Sequence, residues 1–521
     1  MKLTNYIYIM GMALVCGSCA NDYLDVVPES SAGKVTIFES AENARLAING
    51  IGRMMYRQYL STQGFNGEGA IKTFYGNYPG NDFQKCNLTG WQTSINSGYV
   101  LNNTIHHDYF PWFYYYKLIR NANSVILNID AATGKAADKQ FIKAQALTVR
   151  AYAYTMLSQL YCSRWQDSND GATRGLPLRL DESTGRLAPS TLAQVYSCIY
   201  KDLDDAIALY TSSKQDRSDV YTLNLDVAHC VYARAALVRE DWKTASQYAS
   251  LARKNYPLMS ADEYKNSGFN APNKEWIWCS DGSKIQSLHY YGFFAYQGSN
   301  SNTSNCRTHP CAISRELYEQ IPETDIRRGM FLAPAKGDGI KDYSLRVTKG
   351  ALYNRAKKEY GAKLYSTSYI FPYMQFKFQC AEEYYGCGDV NHFRASEMYL
   401  IEAEANCHLN EEAKVHSLLK ELIKDSGRDP GYVSSKSGDE LLAEVRLYRR
   451  IELWGEGFDW FDYKRWKLPR VRKTSDEGGS FKSNFAGTLQ PSDANGWTWV
   501  YPYKETAYNE AFSTGPDMKE Q

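Results

Sequence analysis

The chain has 521 residues, 44% of them hydrophobic, so it can bury a large core and is not expected to be disordered. Its 59 basic and 58 acidic side chains nearly balance. This balance argues against a nucleic-acid-binding protein, because binding to a phosphate backbone depends on clustered Lys and Arg. An uncharged ligand fits the composition better.

The N-terminus is predicted to be a lipoprotein signal peptide. A positively flanked apolar stretch at residues 6–15 is too short to span a bilayer as a stable helix. Cys19 follows two small residues, Gly17 and Ser18, and this arrangement resembles a lipobox. We therefore expect residues 1–18 to be removed and Cys19 to be acylated, so that a lipid attaches the protein to the membrane. An ordinary secretory signal is the alternative.

Twelve cysteines in an exported chain raise the question of disulfides. Four lie in helical patterns and are predicted to be buried as small hydrophobic side chains: Cys162, Cys198, Cys230 and Cys407. Two pairs lie in loop-like stretches where a local bridge is possible: Cys306 with Cys311, and Cys380 with Cys387. Neither pair has the CxxC spacing typical of a zinc site.

Apolar residues recur at helical spacing along most of the chain. One stripe runs from Ala144 to Tyr161, and another from Leu192 to Tyr210. Two further stripes, from Ala228 to Val238 and from Trp242 to Ala252, are separated by a short polar break. This pair predicts a helix hairpin whose second half resembles the tetratricopeptide repeat pattern, because small residues let two helices approach closely.

A second hairpin is predicted nearer the C-terminus. Stripes from Met398 to His408 and from Val415 to Leu422 flank a break at Asn410. Asp439 is then predicted to be the N-cap of a helix running through Leu453. Hairpins of this kind cannot bury their apolar faces alone, so we expect them to stack into a bundle.

The predicted architecture is a mostly α, tetratricopeptide-repeat-like helical bundle in a single domain, residues 19–521. Long irregular insertions, partly β, interrupt the bundle and are expected to form a ligand-binding face, since binding residues concentrate on loops. The helices are expected at approximately 36–60, 112–255 and 393–466. The insertions are expected at approximately 61–111, 256–392 and 467–521.

Several segments resemble one family. The predicted mature chain begins CANDYLD at residues 19–25, Arg150-Ala151-Tyr152 lies in a long helical stripe, and FRASEMYLIEAEA spans Phe393 to Ala405. A further segment runs from Arg449 to Trp466. Together they resemble the SusD/RagB family of surface nutrient-binding lipoproteins, along the whole chain. The end departs from the family pattern, because it lacks the usual Asn-Pro-Gly-Tyr.

The resemblance implies a SusD-like fold and a function. It implies a lipid-anchored outer-membrane protein facing the cell exterior, whose partner is a SusC-like TonB-dependent transporter. The helices around residues 140–255 or 393–466 are expected to dock the transporter, and the irregular face to receive the ligand. Family members bind glycans or peptides, so the resemblance leaves the ligand class open.

Charged residues crowd two of the predicted helices and could be mistaken for a catalytic site. At helical spacing they are interpreted as ion pairs within and between helices. They are Glu397, Glu402 and Glu404 on one helix, and Arg446, Arg449, Arg450, Glu452 and Glu456 on and after the other.

An enzyme is the first alternative, and the sequence argues against it. Carboxylates such as Asp181 and Glu182 are sequence neighbours, which does not indicate a pair facing across a cleft. No G-x-S-x-G, H-E-x-x-H or Walker loop occurs. His106, His107 and Asp108 are interpreted as loop residues without a third metal ligand at set spacing, so neither a metal nor a cofactor is predicted.

A pure protein-interaction scaffold is the other alternative. It leaves the lipid signal and the aromatic insertions unexplained.

Aromatic residues are the positive indication of ligand binding. The chain has 42 Tyr, 11 Trp and 20 Phe, and the insertions are rich in them. Aromatic faces stack on the C–H faces of sugars, while hydroxyl and amide groups bind sugar hydroxyls. We therefore expect a nutrient glycan, either an oligosaccharide or a polysaccharide. A peptide is the alternative, because apolar side chains fit the same surfaces. The candidate ligand-binding residues are Tyr78, Asn81, Asp82, Trp91 and Asn96 in one cluster, and Tyr290, Tyr291, Phe294 and Tyr296 in a second.

Trp276 and Trp278 differ from the loop aromatics in their spacing. They alternate as residues of a strand do, and we predict that they are buried.

Overall fold

The structure is a computed structural model that describes residues 36–60, 64–266, 268–282, 291–381, 386–493 and 497–514. These residues form eighteen α-helices and six short strands, so the predicted mostly α fold is confirmed. The helices are α1 (Ala41–Met54), α2 (Gly67–Ala70), α3 (Gln92–Ile95), α4 (His106–Asn128), α5 (Ala136–Tyr161), α6 (Leu192–Ser213), α7 (Leu225–Val238), α8 (Trp242–Arg253), α9 (Ala261–Asn266), α10 (Phe293–Gln297), α11 (Ser304–Arg307), α12 (Arg315–Gln320), α13 (Ala351–Glu359), α14 (Ala395–His408), α15 (Glu412–Leu419), α16 (Gly438–Glu452), α17 (Asp459–Trp466) and α18 (Tyr503–Tyr508). The strands are β1 (Phe83–Lys85), β2 (Trp276–Ser280), β3 (Cys311–Ile313), β4 (Val390–Arg394), β5 (Arg470–Arg472) and β6 (Gly487–Leu489).

The long helices form a continuous stack. Helix α4 packs on α5, α5 on α6, α6 on α7 and α7 on α8. The stack continues across a long gap in sequence, because α8 packs on α14, which contacts both α15 and α16. The residues between α8 and α14 are therefore an insertion in one continuous stack of helices, called the helical frame below.

The first predicted hairpin, α7 with α8, is confirmed. The turn contains Glu240 with φ of 62°, in the left-handed region that reverses the chain direction. Ala235, Ala245 and Ala249 are completely buried between the helices. Their small side chains let the two backbones approach closely.

The second predicted hairpin, α14 with α15, is also confirmed, and Asn410 at its turn has φ of 59°. Helix α15 continues as a π-helix, Lys420–Asp425. The N-cap predicted for the next helix was wrong, because Ser437 occupies that position. Asp439 lies in the first turn of α16, where a negative charge interacts favourably with the helix dipole.

Helix α4 begins at His106, earlier than the predicted residue 112, so the interpretation of His106, His107 and Asp108 as loop residues was wrong. Pro111 lies inside this helix and has no N–H to donate to the carbonyl of His107. The hydroxyl of Tyr75 donates to that carbonyl instead, at 2.6 Å. A side chain from the preceding insertion thus compensates for the proline.

The strands tie the insertions to the frame. They form three two-stranded antiparallel sheets: β1 with β3, β2 with β4, and β5 with β6. Trp276 and Trp278 in β2 are each 1% exposed, which confirms that they are buried. Strand β4 leads directly into α14, so this sheet joins the insertion to the helical stack.

A buried network of charges lies where the insertion rejoins the frame. Arg394 at the end of β4 donates to Glu275 at 2.6 Å, to Glu452 at 2.7 Å and to Glu456 at 2.7 and 2.9 Å. Arg428 also bonds Glu275 and Glu452, at 2.9 and 3.1 Å. Arg327, Lys377 and Asp325 complete a set of four cations and four anions.

Other charged side chains of the two crowded helices are ion-paired as predicted, except Arg446, which lies over the Trp466 ring at 5.4 Å and has no carboxylate partner among the described residues. Glu397 pairs with Arg234 at 2.8 Å, and Glu404 with Arg465 at 2.6 Å. Arg449 pairs with Asp462 at 2.7 Å. These pairs connect α7, α14, α16 and α17, so the charges hold the frame together.

The cysteines of the described residues contribute thiols to the interior. Cys230 is buried in α7, and Cys162 is buried directly after the end of α5, in extended backbone outside the helix predicted for it. Cys198 and Cys407 are half-buried. A local bridge between Cys306 and Cys311 is contradicted, because both are free thiols. Their sulfurs lie 3.2 and 3.3 Å from the carbonyl oxygens of Ala295 and Tyr296, respectively, which accept their weak hydrogen bonds.

Candidate ligand-binding site

Trp91 is the centre of the candidate site. Its ring is half-buried and lies nearly parallel to Phe74, with 4.2 Å between ring centroids and 22° between planes. The rings of His107 and Tyr296 meet it edge-on, at 5.3 and 5.8 Å. Trp91 is therefore held in one orientation by aromatic neighbours on three separate segments.

A glycine makes this packing possible. Gly64 has φ of 94°, and a Cβ atom added there would lie 2.6 Å from Cη2 of Trp91 and 3.0 Å from Cε2 of Phe74. No side chain fits in that space, so only glycine lets the backbone pass this close to the indole ring. Next to Trp91, Gly90 has open space around its Cβ position, which indicates a surface loop.

His107 supports the cluster as a neutral ring. Burial, and then the charge of His106, lower the pKa of His107 to about 4. Its ring stacks on Tyr99 at 4.5 Å. At neutral pH the aromatic cluster around Trp91 therefore carries no charge on this side chain.

Two arginines hold the loop from residue 78 to residue 97 from beneath. Arg472 donates to the backbone carbonyls of Tyr78, Gly80 and Ile95 at 2.7, 2.9 and 2.8 Å. Arg470 donates to the carbonyl of Pro79 at 3.1 Å and to the hydroxyl of Ser97 at 2.8 Å. Strand β5 thus fixes both ends of the segment that carries Trp91.

These arginines lie in an unusual environment for a guanidinium group. Burial lowers the pKa of Arg470 to about 10, and burial followed by the charge of Arg470 lowers the pKa of Arg472 well below its usual range. Their partners are carbonyl dipoles and a hydroxyl group. The Arg-Val-Arg alternation of a short strand was the available sequence signal, but it does not identify hydrogen-bond partners that lie between 373 and 394 residues away in the sequence.

Asn81 and Asp82, predicted as ligand-binding residues, are instead used by the fold. Asp82 is 2% exposed and accepts two hydrogen bonds from Arg450, at 2.7 and 2.8 Å. Asn81 donates to Asp82 at 2.9 Å and accepts from the backbone N–H of Val471 at 2.7 Å. Their polar groups are occupied within the protein, so neither offers a hydrogen bond to a ligand in this structure.

Tyr78, Phe294 and Tyr296 are also inside the core. Each is 1% exposed or less, although the sequence predicts them on a binding face. Tyr296 packs edge-on against Phe74 at 5.0 Å, and all five residues of α10 are buried. The physical reason is that these large rings pack against other aromatic side chains of the insertions, and Tyr296 also supports Trp91.

The predicted residues that keep accessible surface are Trp91, Tyr291 and Asn96. Asn96 is exposed and donates one hydrogen bond to the carbonyl of Asn484 at 2.8 Å, which orients its amide. Tyr291 is half-buried against the core. Tyr290 and Cys19 lie outside the described residues. The structure therefore brings together a half-buried indole ring and exposed polar side chains on one loop.

Two further properties bear on the type of site. Within the ranges that the structure describes, no group of three or more His, Cys, Asp or Glu side chains could hold a metal ion. In the same residues, no helix combines the length and apolar character needed to cross a membrane.

Two family models match the chain. Residues 241–519 match the SusD family, and residues 22–238 match a model described as "Starch-binding associating with outer membrane". The first match alone covers more than half of the sequence. The chain therefore belongs to the SusD family, as the resemblance predicts.

Solved structures share this fold. A SusD-like carbohydrate binding protein from Bacteroides vulgatus ATCC 8482 is 22% identical, with a TM-score of 0.75 over 92% of this chain and 99% of that chain. A SusD superfamily protein from Bacteroides thetaiotaomicron VPI-5482 is 20% identical, with a TM-score of 0.70 over 91% and 99%. A SusD-like carbohydrate binding protein from Bacteroides fragilis NCTC 9343 is 16% identical, with a TM-score of 0.64 over 91% and 99%. No curated protein matches the chain.

Proposed function

We propose that the protein is a lipid-anchored cell-surface protein of the outer membrane that binds a nutrient glycan and delivers it to a SusC-like TonB-dependent transporter. The observation that carries the glycan assignment is Trp91, a half-buried ring held flat against Phe74 on a loop with the exposed amide of Asn96. A fixed aromatic face beside amide groups suits stacking on a sugar ring, with hydrogen bonds to its hydroxyls. The carbohydrate-binding relatives support the same ligand class.

We propose binding without catalysis. The carboxylates nearest the loop are committed to the fold: Asp82 pairs with Arg450, and Asp459 accepts from the backbone N–H groups of Asp82 and Phe83 at 2.6 and 3.1 Å. Burial, followed by the charge of Asp82, raises the pKa of Asp459 to about 7. Because Asp82 is buried and the half-buried Asp459 is bonded to backbone N–H groups, they do not form a pair of carboxylates facing a sugar across a cleft.

The function is tested by calorimetry of the soluble protein, beginning at residue 20, against a panel of polysaccharides and peptides. Product analysis of the same samples reports any cleavage. Binding of an intact glycan is the expected result. Binding of peptides alone would favour the alternative ligand class, and cleavage of a glycan would contradict the non-catalytic proposal.

The lipid anchor depends on Cys19. We expect Cys19→Ala to release the protein from the membrane fraction in a strain without the partner transporter, because no acyl chain is then attached. The measurement is fractionation followed by immunoblotting, with Cys162→Ala as the matched cysteine control that stays with the membrane. Membrane retention of Cys19→Ala in that strain would contradict the anchor.

We propose that the stacked helices, and not the insertions, dock the transporter, since stacked repeats provide a stiff and extended surface. Photo-crosslinkers placed at exposed Lys243 or Leu251 on α8 are expected to capture the transporter in membranes. The same group at Leu88, which is 43% exposed beside the Trp91 loop, is the matched control and is expected not to. Capture from Leu88 alone would reverse the assignment of the two faces.

A further inference from the structure

The second insertion contains a lobe with its own small core. Its buried residues form a hydrophobic cluster separate from the main core of the protein. The lobe includes α13 and is joined to the loop after α10 by a hydrogen bond from the hydroxyl of Ser299 to the carbonyl of Lys363 at 2.7 Å. The cluster consists of Leu332, Leu352, Ala356, Leu364, Ile370, Met374 and Phe376.

The lobe is strongly basic. Between residues 336 and 363 there are eight Lys and Arg side chains but only three Asp and Glu side chains. The balanced charge of the whole chain therefore conceals an excess of positive charge in one place. A local excess attracts anions regardless of the net charge of the protein.

Three of the cations in and beside this lobe converge on the segment Ser366–Tyr369. The guanidinium carbon of Arg346 lies 3.4 Å from the centroid of the Tyr369 ring, stacked on its face. The ammonium of Lys357 donates to the carbonyl of Ser366 at 3.2 Å. Arg307 donates to the hydroxyl of Thr367 at 3.3 Å.

These three cations lack carboxylate partners among the described residues. No Asp or Glu oxygen of that part of the chain lies within 4.0 Å of the charged nitrogens of Arg307, Arg346 or Lys357. Arg355 in the same lobe shows the contrast, because it pairs with Asp338 at 2.9 Å. Clustered cations without a counter-charge repel one another, and an anion bound between them would relieve this repulsion.

Two buried polar atoms at the same place have no hydrogen-bond partner. They are Nε of Arg307 and the hydroxyl of Ser368, which is 7% exposed. A buried polar group without a partner is costly and is expected to bind water or a ligand. Both atoms can donate to an oxyanion, as guanidinium groups commonly do to sulfate-like and carboxylate groups.

We propose that Arg307, Arg346 and Lys357 form a subsite for the sulfate or carboxylate group of an anionic glycan. This inference rests on the proposed glycan-binding function and narrows its ligand class. Arg307 ends α11, in the insertion whose Tyr296 supports Trp91, so the basic subsite and the aromatic site belong to one structural unit. The Tyr369 ring stacks on the guanidinium group of Arg346 and so holds it in place at the subsite.

The test compares binding of dextran, dextran sulfate and polygalacturonate to the wild-type protein and to the double variant Arg346→Gln, Lys357→Gln. We expect the wild-type protein to bind at least one of the two anionic polymers. The double variant should bind that polymer at least tenfold more weakly, with a smaller dependence on salt concentration. Lys254→Gln, Lys424→Gln is the matched control, because it removes two exposed charges from the helical frame and is expected to keep wild-type affinity.

The outcomes separate this inference from the proposed function. Binding of dextran sulfate alone assigns a sulfate subsite, and binding of polygalacturonate alone assigns a carboxylate subsite. Binding of neutral glycans alone overturns the subsite and leaves the proposed function standing. An equal loss in the control variant, or binding only to vesicles containing lipopolysaccharide, also overturns it. Failure to bind any glycan in the wider panel contradicts the proposed function itself.

Discussion

Trp91→Ala is expected to weaken glycan binding by about 1–3 kcal/mol, the loss typical when a principal stacking contact is truncated. The physical reason is that the ring is already fixed by Phe74 and by the edges of His107 and Tyr296, so stacking on a sugar costs little conformational entropy. Calorimetry with the best-binding glycan of the panel gives the change in affinity.

Two further variants distinguish loss of contact from loss of structure. Trp91→Phe keeps an aromatic face against Phe74 and should keep most of the affinity. Trp165→Ala truncates another half-buried tryptophan, packed on Tyr196 in the helical frame, and should leave binding unchanged. Unaltered affinity of a folded Trp91→Ala protein would place the ligand on a different loop. Tyr296→Ala is a poorer test, because that ring is buried and its loss also changes the core.

Arg394→Met is expected to destabilise the protein by about 3–5 kcal/mol, since removing one partner of a buried ion network leaves uncompensated charges. Arg394 is 1% exposed and bonds three carboxylates, those of Glu275, Glu452 and Glu456. Guanidinium chloride unfolding at pH 7 measures the loss. The control is Arg45→Met, which breaks an exposed pair with Asp138 and should cost less than about 1 kcal/mol.

The same network gives a pH dependence. Burial alone would raise the pKa of Glu456, but the charges of Arg394 and Lys377 outweigh it and lower the pKa to about 2. A carboxyl group with a depressed pKa stabilises the folded state above its ordinary pKa of about 4.5, and this contribution is lost as the pH falls from there towards 2. Wild-type stability should therefore decrease below about pH 4.5, and Arg394→Met should show a weaker decrease. Parallel pH profiles would contradict this role of Arg394.

The helical frame could be predicted from the sequence because its signals are local. The alanine stripe of α8 and the break at Asn410 each indicate a helix hairpin. In both cases the residues that carry the pattern lie within one repeat of each other in the sequence. For the same reason, the sequence could predict that Glu397, Glu404 and Arg449 form ion pairs, because these residues occur at helical spacing. Their partners were not predicted, because the partners lie on other helices.

The candidate site could be predicted only in part. An aromatic residue in a loop-like sequence looks the same whether its ring is half-buried with accessible surface, as at Trp91, or fills the core, as at Tyr296. The supports of the loop were missed, because Arg470 and Arg472 bind backbone carbonyls that lie far away in sequence. The basic lobe was not predicted, because the net charge of the whole chain hides it. The positive charge around Arg346 and Lys357 is balanced by acidic residues elsewhere in the sequence.

The most direct test of glycan binding at Trp91 is a crystal structure of the protein with a bound oligosaccharide from the best-binding glycan. We expect a sugar ring stacked on Trp91, with hydroxyl groups within hydrogen-bond distance of the Asn96 side chain, and α4 to α8 free of ligand. A sugar bound on the stacked helices, with Trp91 uncovered, would contradict it.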